Sequence, residues 1–361
     1  MKLLRAVLAF VGPFEEIALS FADENGEARP VTVIHGGGGT GKSSVLAAIA
    51  STRPGHCVVQ QTRAEAHDVI REPRRAENAR LPFAACDWAL GQDEPARPHP
   101  LAVVSPNARL SPSDEVEGLR RREQALFDRL ANEGGFAFLP IASTRWFSRQ
   151  PIAFSAPART VARYDVRASA ALDDATRSDL ARESKQALAY AAIASALSAP
   201  GELGERRFDL LGSAMQSAVN TLVGLCGFSY RGVDPLSLEP IFASQGQGRA
   251  LSFDALPTRA RHLVAFAALG VRTLWAAYPD QDPREAEGVI AIDEVDLHQD
   301  AQVEQKLLPA LRAALPEAQW ILTTTSPVLA GVADARSVLA LRHLPEGDGV
   351  RVFAGEQART H

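Results

Sequence analysis

Cysteine is scarce in this sequence, which has three cysteines, Cys57, Cys86 and Cys226, among 361 residues. They stand far apart and form no Cys-x-x-Cys pair, which argues against a disulfide framework and against paired-cysteine metal sites. The chain also lacks the run of about 18 apolar residues that a membrane-spanning helix needs. Its short apolar start is followed by Glu15 and Glu16 without a cleavage pattern, unlike a signal peptide. We therefore expect a cytoplasmic protein without a membrane partner.

A strong excess of charge of either sign is absent as well. The formal net charge is −5 and 22% of residues are charged, which excludes a strongly basic protein that coats DNA but leaves room for a local basic groove. The hydrophobic fraction of 46% is typical of a globular protein. A length of 361 residues suits one large domain or two lobes.

The most informative stretch is the glycine-rich run at residues 36–43, which reads GGGGTGKS and fits the pattern G-x-x-x-x-G-K-[ST]. A β-branched run at 31–34 precedes it and a helix-forming run at 44–49 follows it, which is the strand–loop–helix context of a phosphate-binding loop. In such a loop, backbone N–H groups and the helix N-terminus surround phosphate oxygens. We expect Lys42 to reach the β- and γ-phosphates of ATP and the Ser43 hydroxyl to bind Mg²⁺. The predicted nucleotide-binding residues are Gly36, Gly37, Gly38, Gly39, Thr40, Gly41, Lys42, Ser43 and Ser44.

A second nucleotide motif lies about 250 residues later, at 289–294, where four apolar residues are followed by Asp293 and Glu294. In P-loop ATPases the Asp at the end of such a strand holds Mg²⁺ and the next Glu polarises the attacking water. We therefore predict Asp293 as a metal ligand and Glu294 as the catalytic carboxylate. The distance between the two motifs predicts a large insertion between them.

The remaining pattern suggests how the chain is divided. The first residues alternate like two strands around Gly12, and strands are predicted at 83–88, 101–105 and 136–143. Helices are predicted at 114–132, 176–199 and 205–226. We divide the chain into an N-terminal part of the ATPase core at 1–60, an insertion with a helical lobe at 61–227, and a C-terminal part of the core at 228–361.

Residues 292–332 and the phosphate loop together resemble the RecF/OLD/SMC-like branch of ABC-type P-loop ATPases. The closest similarity is to bacterial Septu-type ATP-binding proteins, whose acidic strand reads IDE and whose switch strand reads TTHSP, compared with IDE and TTTSP here. The resemblance covers roughly residues 1–50 and 228–341. It implies an α/β fold, with an ABC-type core, an antiparallel flank and an inserted helical lobe. Leu139-Pro140-Ile141 followed by Arg145 also resembles a strand–Arg segment of this group.

Two departures from the family pattern affect the expected chemistry. Thr325 stands where the family has the switch His that contacts the γ-phosphate, so we expect Thr325 to contact nucleotide more weakly. The signature segment that binds the γ-phosphate held by the partner subunit corresponds to residues 256–260, where Pro257 and Arg259 replace the Ser and Gly. Either Arg259 supplies a cation in trans or the signature is inactive. The glutamine that often completes the Mg²⁺ shell is assigned to Gln60 or Gln61.

The resemblance implies an ATPase that uses ATP and Mg²⁺, hydrolyses slowly and dimerises around nucleotide. Its partners would be a second copy or another subunit of a heteromeric complex, a separate effector protein, or nucleic acid. Antiphage defence or DNA maintenance would be the setting. The alternative is a nucleotide-bound scaffold subunit that does not turn over. A P-loop enzyme that acts on a small molecule is disfavoured by the C-terminal resemblance.

Overall fold

The computed structural model describes residues 1–52, 83–94, 96–104, 123, 125, 135–149, 179–197, 205–246, 248–344 and 349–359. The strands within these residues are β1 Lys2–Val11, β2 Phe14–Ser20, β3 Val31–Gly36, β4 Phe83–Ala89, β5 Leu101–Val104, β6 Ala137–Ile141, β7 Phe228–Val233, β8 Pro240–Ser244, β9 Ala250–Ser252, β10 Gly288–Ile292, β11 Ala318–Thr324, β12 Val338–His343 and β13 Val350–Ala354. The α-helices are α1 Lys42–Ser51, α2 Leu180–Leu197, α3 Glu205–Val223, α4 Thr258–Ala277, α5 Ala301–Ala314 and α6 Pro327–Val332.

A six-stranded sheet forms the centre of the fold, in the order β13-β12-β3-β11-β10-β6. Its strands pair in parallel except β13, which is antiparallel to β12. Strand β3 comes from the N-terminal part of the chain and β10 to β12 come from the C-terminal part. The two ends of the sequence therefore build one core, as the sequence predicts, and the phosphate loop and the acidic strand reach the same edge of one sheet.

A four-stranded antiparallel sheet, β2-β1-β4-β5, forms the predicted flank. Strands β4 and β5, and β6 of the central sheet, belong to the segment 61–227 that the sequence assigns to the insertion. Strands β7 to β9 belong to the segment assigned to the core but form a separate antiparallel sheet. The division at 60 and 227 stays a prediction for the domain boundaries. The pairing adds that β4 and β5 join the antiparallel sheet and β6 joins the central one.

The central sheet is buried on both faces, which explains why its strands read as continuous apolar runs rather than as alternating ones. On β10, Val289 and Ala291 pack into a cluster with α1 and the antiparallel sheet. Ile290 and Ile292 point to the other face and pack with α2 to α5. The sheet therefore separates two hydrophobic layers that share its strands.

Helix α4 lies at the centre of the second layer and is buried along nearly its whole length. It packs against α2, α3 and β6. Gly270 lets the helix approach the sheet closely, because a Cβ atom there would lie 2.7 Å from Leu315 Cδ1 and 3.1 Å from Ile290 Cδ1.

The lobe helices agree closely with the sequence predictions. Helix α2 spans Leu180–Leu197 within the predicted 176–199, and α3 spans Glu205–Val223, after which a single 3₁₀ turn, Gly224–Cys226, completes the predicted 205–226. The helix predicted at 114–132 lies outside the described residues apart from Glu123 and Ala125. Within the described residues, no helix is long and apolar enough to cross a membrane.

A fully buried lysine joins this lobe to the start of α4. Lys185 on α2 places its Nζ 2.7 Å from Asp254 Oδ2 and 3.2 Å from Glu239 Oε1. Asp254 lies in the turn four residues before Thr258, the first residue of α4. The ion pair therefore fixes the segment that enters α4.

We predict that Lys185→Met lowers the free energy of unfolding by roughly 2–4 kcal/mol, because it leaves two carboxylates without their cation in a largely desolvated place. Urea unfolding monitored by circular dichroism measures the change. Lys306→Met on the exposed side of α5 is the matched control and should change stability by less than about 0.5 kcal/mol. Equal midpoints for the two variants would contradict the stabilising role of Lys185.

Candidate nucleotide site

The glycine-rich loop joins the end of β3, at Gly36, to the start of α1, at Lys42. Gly41 has φ +89°, and a Cβ atom there would lie 2.5 Å from the Phe14 ring. Only glycine both adopts this left-handed backbone conformation readily and leaves room for the Phe14 ring. A Cβ added at Gly37, Gly38 or Gly39 would meet nothing within 4 Å, so this rim of the loop is open.

Lys42 folds back over the loop. Its Nζ donates to the carbonyl oxygens of Gly36 and Gly37, each at 2.8 Å, and the residue is 6% exposed. Burial lowers the pKa of the Lys42 ammonium, whereas the acidic groups nearby, Asp293 first among them, oppose the shift. Because the described acceptors of the ammonium are neutral carbonyl oxygens, its positive charge is available to bind an anionic ligand.

Ser43 and Asp293 meet although 250 residues separate them. The Ser43 hydroxyl donates to Asp293 Oδ2 at 2.7 Å, and the Thr323 hydroxyl donates to Asp293 Oδ1 at 2.6 Å. These are hard oxygen ligands of the kind that Mg²⁺ prefers, and Mg²⁺ commonly takes one carboxylate together with substrate phosphates and water. No cluster of three or more His, Cys, Asp or Glu with metal-binding geometry is found among the described residues. The hydroxyl oxygen of Ser43 and the carboxylate of Asp293 fit a Mg²⁺ ion that also binds nucleotide phosphates.

Glu294 follows Asp293 directly and has an unusual backbone. Its φ is +47°, in the left-handed region that residues with a side chain seldom adopt. Its N–H donates to Thr323 Oγ1 at 2.8 Å. The Glu294 side chain is half-buried, and no described residue donates a hydrogen bond to its carboxylate.

Arg145 and Thr323 are the two residues whose importance sequence reasoning missed. The sequence places Arg145 only in the strand–Arg segment of the resemblance, and it indicates no role for Thr323. In the structure the Arg145 guanidinium donates to the carbonyl oxygens of Asp293 and Glu294. The register of β10 and β11, in which Ile292 lies opposite Leu322, would have placed Thr323 beside Asp293.

Thr325 lies at the same edge of the sheet as the loop. It follows β11 directly and is exposed, and Thr324 before it lies opposite His35 on β3. The structure therefore groups residues 36–44, Asp293, Glu294 and Thr325 at the carboxyl ends of β3, β10 and β11. Gln60 and Gln61 lie outside the described residues.

The segment that corresponds to the signature lies at the start of α4. Pro257 caps this helix, and Arg259 forms an ion pair with Asp300, while its carbonyl accepts from Gln299 Nε2 at 3.3 Å. One turn further on, His262 Nδ1 lies 3.0 Å from the Leu297 carbonyl oxygen. The start of α4 is therefore tied to residues 297–300, the turn that follows the acidic pair.

A separate cavity of about 440 Å³ lies at the opposite end of the sheet from the loop. It is lined by Pro30 and Val31 at the start of β3, by residues of α5 such as Leu308 and Arg312, and by Pro316 beyond the helix. None of the predicted site residues lines it.

The comparisons with known proteins support the fold. No family model matches this sequence. A structure of an SMC head bound to the C-winged helix domain of ScpA is 12% identical, with a TM-score of 0.54 over 98% of this chain and 97% of that chain. An SMC head with an extended coiled coil bound to the C-terminal domain of ScpA, derived from Pyrococcus furiosus, is 14% identical, with a TM-score of 0.54 over 98% and 96%. At these identities the likeness shows the fold alone. The chain therefore has the predicted α/β fold with an ABC-type core, whereas the SMC-like branch and the narrower Septu-type assignment stay predictions.

We predict that Gly41→Ala lowers the free energy of unfolding by about 2 kcal/mol or more, because it adds a Cβ atom against Phe14 at a left-handed φ. Gly38→Ala is the matched control, since its Cβ atom would enter open space, and it should change stability by less than about 0.5 kcal/mol. Urea midpoints compare the two variants. A Gly41→Ala protein as stable as Gly38→Ala would show that the loop has another conformation.

Proposed function

We propose that this protein binds ATP with Mg²⁺ and hydrolyses it slowly. The observation that supports the proposal is the proximity of two distant chain segments at the carboxyl ends of the parallel strands. One segment carries Lys42 and Ser43, and the other carries Asp293 and Glu294. Ligands of open α/β sheets bind at this edge.

Each residue has a distinct part in the proposed reaction. The N–H groups of the loop and of the first turn of α1, which lack helical acceptors, donate to phosphate oxygens. Lys42 places its ammonium on the β- and γ-phosphates, and Ser43 and Asp293 provide oxygens to Mg²⁺. Mg²⁺ held there would help to neutralise the charge that develops on the phosphates. Glu294, with a carboxylate not used in a described hydrogen bond, orients the attacking water and accepts its proton.

The slow rate follows from two replaced groups. Pro257 has neither a hydroxyl nor an N–H to offer at the signature position. Thr325 is shorter than the histidine of the resembling family and carries no charge. A hydrogen-bond donor aimed at the transition state contributes about 10²–10³ in rate. The loss of two such donors therefore favours a role in which bound nucleotide selects a conformation of the protein more than it drives turnover.

We further propose that the protein dimerises around nucleotide, or joins a heteromeric complex, and controls a separate effector protein or a nucleic-acid partner. The fold supports this, because the SMC heads that share it were solved bound to domains of ScpA. Antiphage defence or DNA maintenance is the setting that the sequence resemblance supports.

A second function is favoured by the same replacements at Pro257 and Thr325. A subunit that binds ATP without hydrolysing it would act as a scaffold whose assembly depends on nucleotide. Binding and turnover assays on the purified protein separate the two functions, since both require Lys42 but only hydrolysis requires Glu294.

We expect Lys42→Ala to weaken ATP–Mg²⁺ binding about 10- to 100-fold, because a hydrogen bond to a charged group contributes about 1.5–3 kcal/mol. Isothermal titration calorimetry measures the dissociation constants. Lys306→Ala, a lysine on the exposed side of α5, should bind like the wild type. Equal affinity of the Lys42 variant and the wild type would remove the loop from the nucleotide site.

We expect Glu294→Gln to keep ATP binding and to slow hydrolysis by at least about 10²-fold, because the amide is not a base. Phosphate release measures turnover, with Glu317→Gln at an exposed position as the control. We expect the wild type to turn over well below the enzyme median of about 10 per second. A wild-type rate of that order would show that other residues replace the lost donors, and an unaffected Glu294 variant would exclude this carboxylate.

A further inference from the structure

Arg145 is a buried arginine whose hydrogen bonds within the described part of the chain go to main-chain carbonyl oxygens. The residue is 5% exposed and lies just beyond β6. Its Nη1 donates to Ala142 at 2.9 Å and to Asp293 at 2.5 Å, and its Nη2 donates to Glu294 at 2.6 Å. The two arms of one guanidinium therefore hold the consecutive peptide units of the acidic pair.

This choice of acceptors is informative because guanidinium normally pairs with carboxylates. Burial lowers the pKa of the Arg145 guanidinium to about 10. The negative charges of Asp293, Glu294 and Asp296 oppose this shift. Arg145 is therefore charged at neutral pH, yet its donors are directed to backbone oxygens. The carboxylates of Asp293 and Glu294 stay available for other ligands.

Arg145 binds the backbone at Glu294, a residue whose conformation is unfavourable and needs a restraint. Glu294 has φ +47°, which is unfavourable for a residue with a side chain. Its N–H is fixed by Thr323 Oγ1 at 2.8 Å and its carbonyl by Arg145 Nη2 at 2.6 Å. Both ends of this residue are thus restrained, and the direction of its side chain depends on the restraint.

The surroundings restrain Arg145 in turn. Its guanidinium carbon lies 5.3 Å from the centre of the Phe266 ring on α4, and Phe266 is fully buried. Strand β6 pairs with β10 up to Ile141 opposite Ile292, so the residues before Arg145 and before Asp293 run side by side. The guanidinium has little freedom to leave the carbonyls.

We propose that Arg145 is a positioning residue that aims the Glu294 carboxylate at the attacking water and the Asp293 carboxylate at Mg²⁺. The proposal rests on the proposed ATPase function and adds to it a residue that does not contact nucleotide. A positioning role predicts a specific loss of affinity for the transition state, whereas a simple link between β6 and β10 predicts only a loss of stability.

The test compares two ligands in the presence of Mg²⁺: ATPγS, which resembles the ground state, and ADP with aluminium fluoride, which resembles the transition state. We expect Arg145→Met to bind ATPγS within about threefold of the wild type and to bind ADP–aluminium fluoride at least about tenfold more weakly. Glu294→Gln should show the same selective loss.

Arg272→Met is the matched control, because Arg272 is also a buried arginine but bonds to the Glu183 carboxylate in the lobe. It should leave the ratio of the two affinities unchanged.

Two further variants keep the test decisive if Arg145→Met does not fold. Arg145→Lys retains the charge but lacks the two-armed donor, so we expect a selective loss of the same direction. Arg145→Ala leaves space for a soluble guanidinium ion, which at concentrations far below denaturing ones should restore binding of ADP–aluminium fluoride, but should not do so in Glu294→Gln.

The outcomes separate the two proposals. An unchanged ratio of affinities in the Arg145 variants, or an equal loss for both ligands, overturns the positioning role. Binding of ATPγS but not of ADP–aluminium fluoride by the wild type also overturns it, while nucleotide binding stands. Failure of the wild type to bind ATPγS in a manner that depends on Lys42 overturns the proposed function itself.

Discussion

The parallel pairing of β3, β11 and β10 is the constraint on which the rest of this structure depends. It places the end of β3, which leads into the phosphate loop, next to the ends of the strands that carry Thr323 and Asp293. Because parallel strands end at the same edge, side chains 250 residues apart come within hydrogen-bond distance. The two buried layers on the faces of the sheet keep this register, since a slip by one residue would exchange Ile290 and Ala291 between the layers.

Among the described residues at this edge of the sheet, no buried acid forms an ion pair with a buried base by direct contact. Lys42 and Arg145 both donate to backbone carbonyls. The Asp293 carboxylate accepts from two hydroxyls, those of Ser43 and Thr323. Carbonyl and hydroxyl dipoles thus hold the two cationic side chains and the carboxylate in place, and these charged groups remain available to interact with a charged ligand.

The sequence predicted those parts of the site that depend on local chemistry. The glycine loop, the strand before it and the two acids after β10 are visible because each needs particular residue types in immediate succession. Arg145 and Thr323 have ordinary neighbours, and their roles arise from the pairing of β6 and β11 with β10, which no local pattern records. The same holds for strands β4, β5 and β6, whose places in the two main sheets no local pattern predicts. Their partners are far away in sequence, and an apolar run does not reveal which sheet it joins.

The contact between α4 and the turn after the acidic pair has a consequence for how the protein can be controlled. Since a carbonyl oxygen only accepts, the bond between His262 and Leu297 requires a proton on Nδ1. Burial, aided by the positive charge of Arg145, lowers the pKa of His262 to about 3, so this imidazole stays neutral at every physiological pH. This hydrogen bond therefore persists across the physiological pH range. A displacement of α4 that preserves it would move the turn after Asp293 and Glu294 together with the helix.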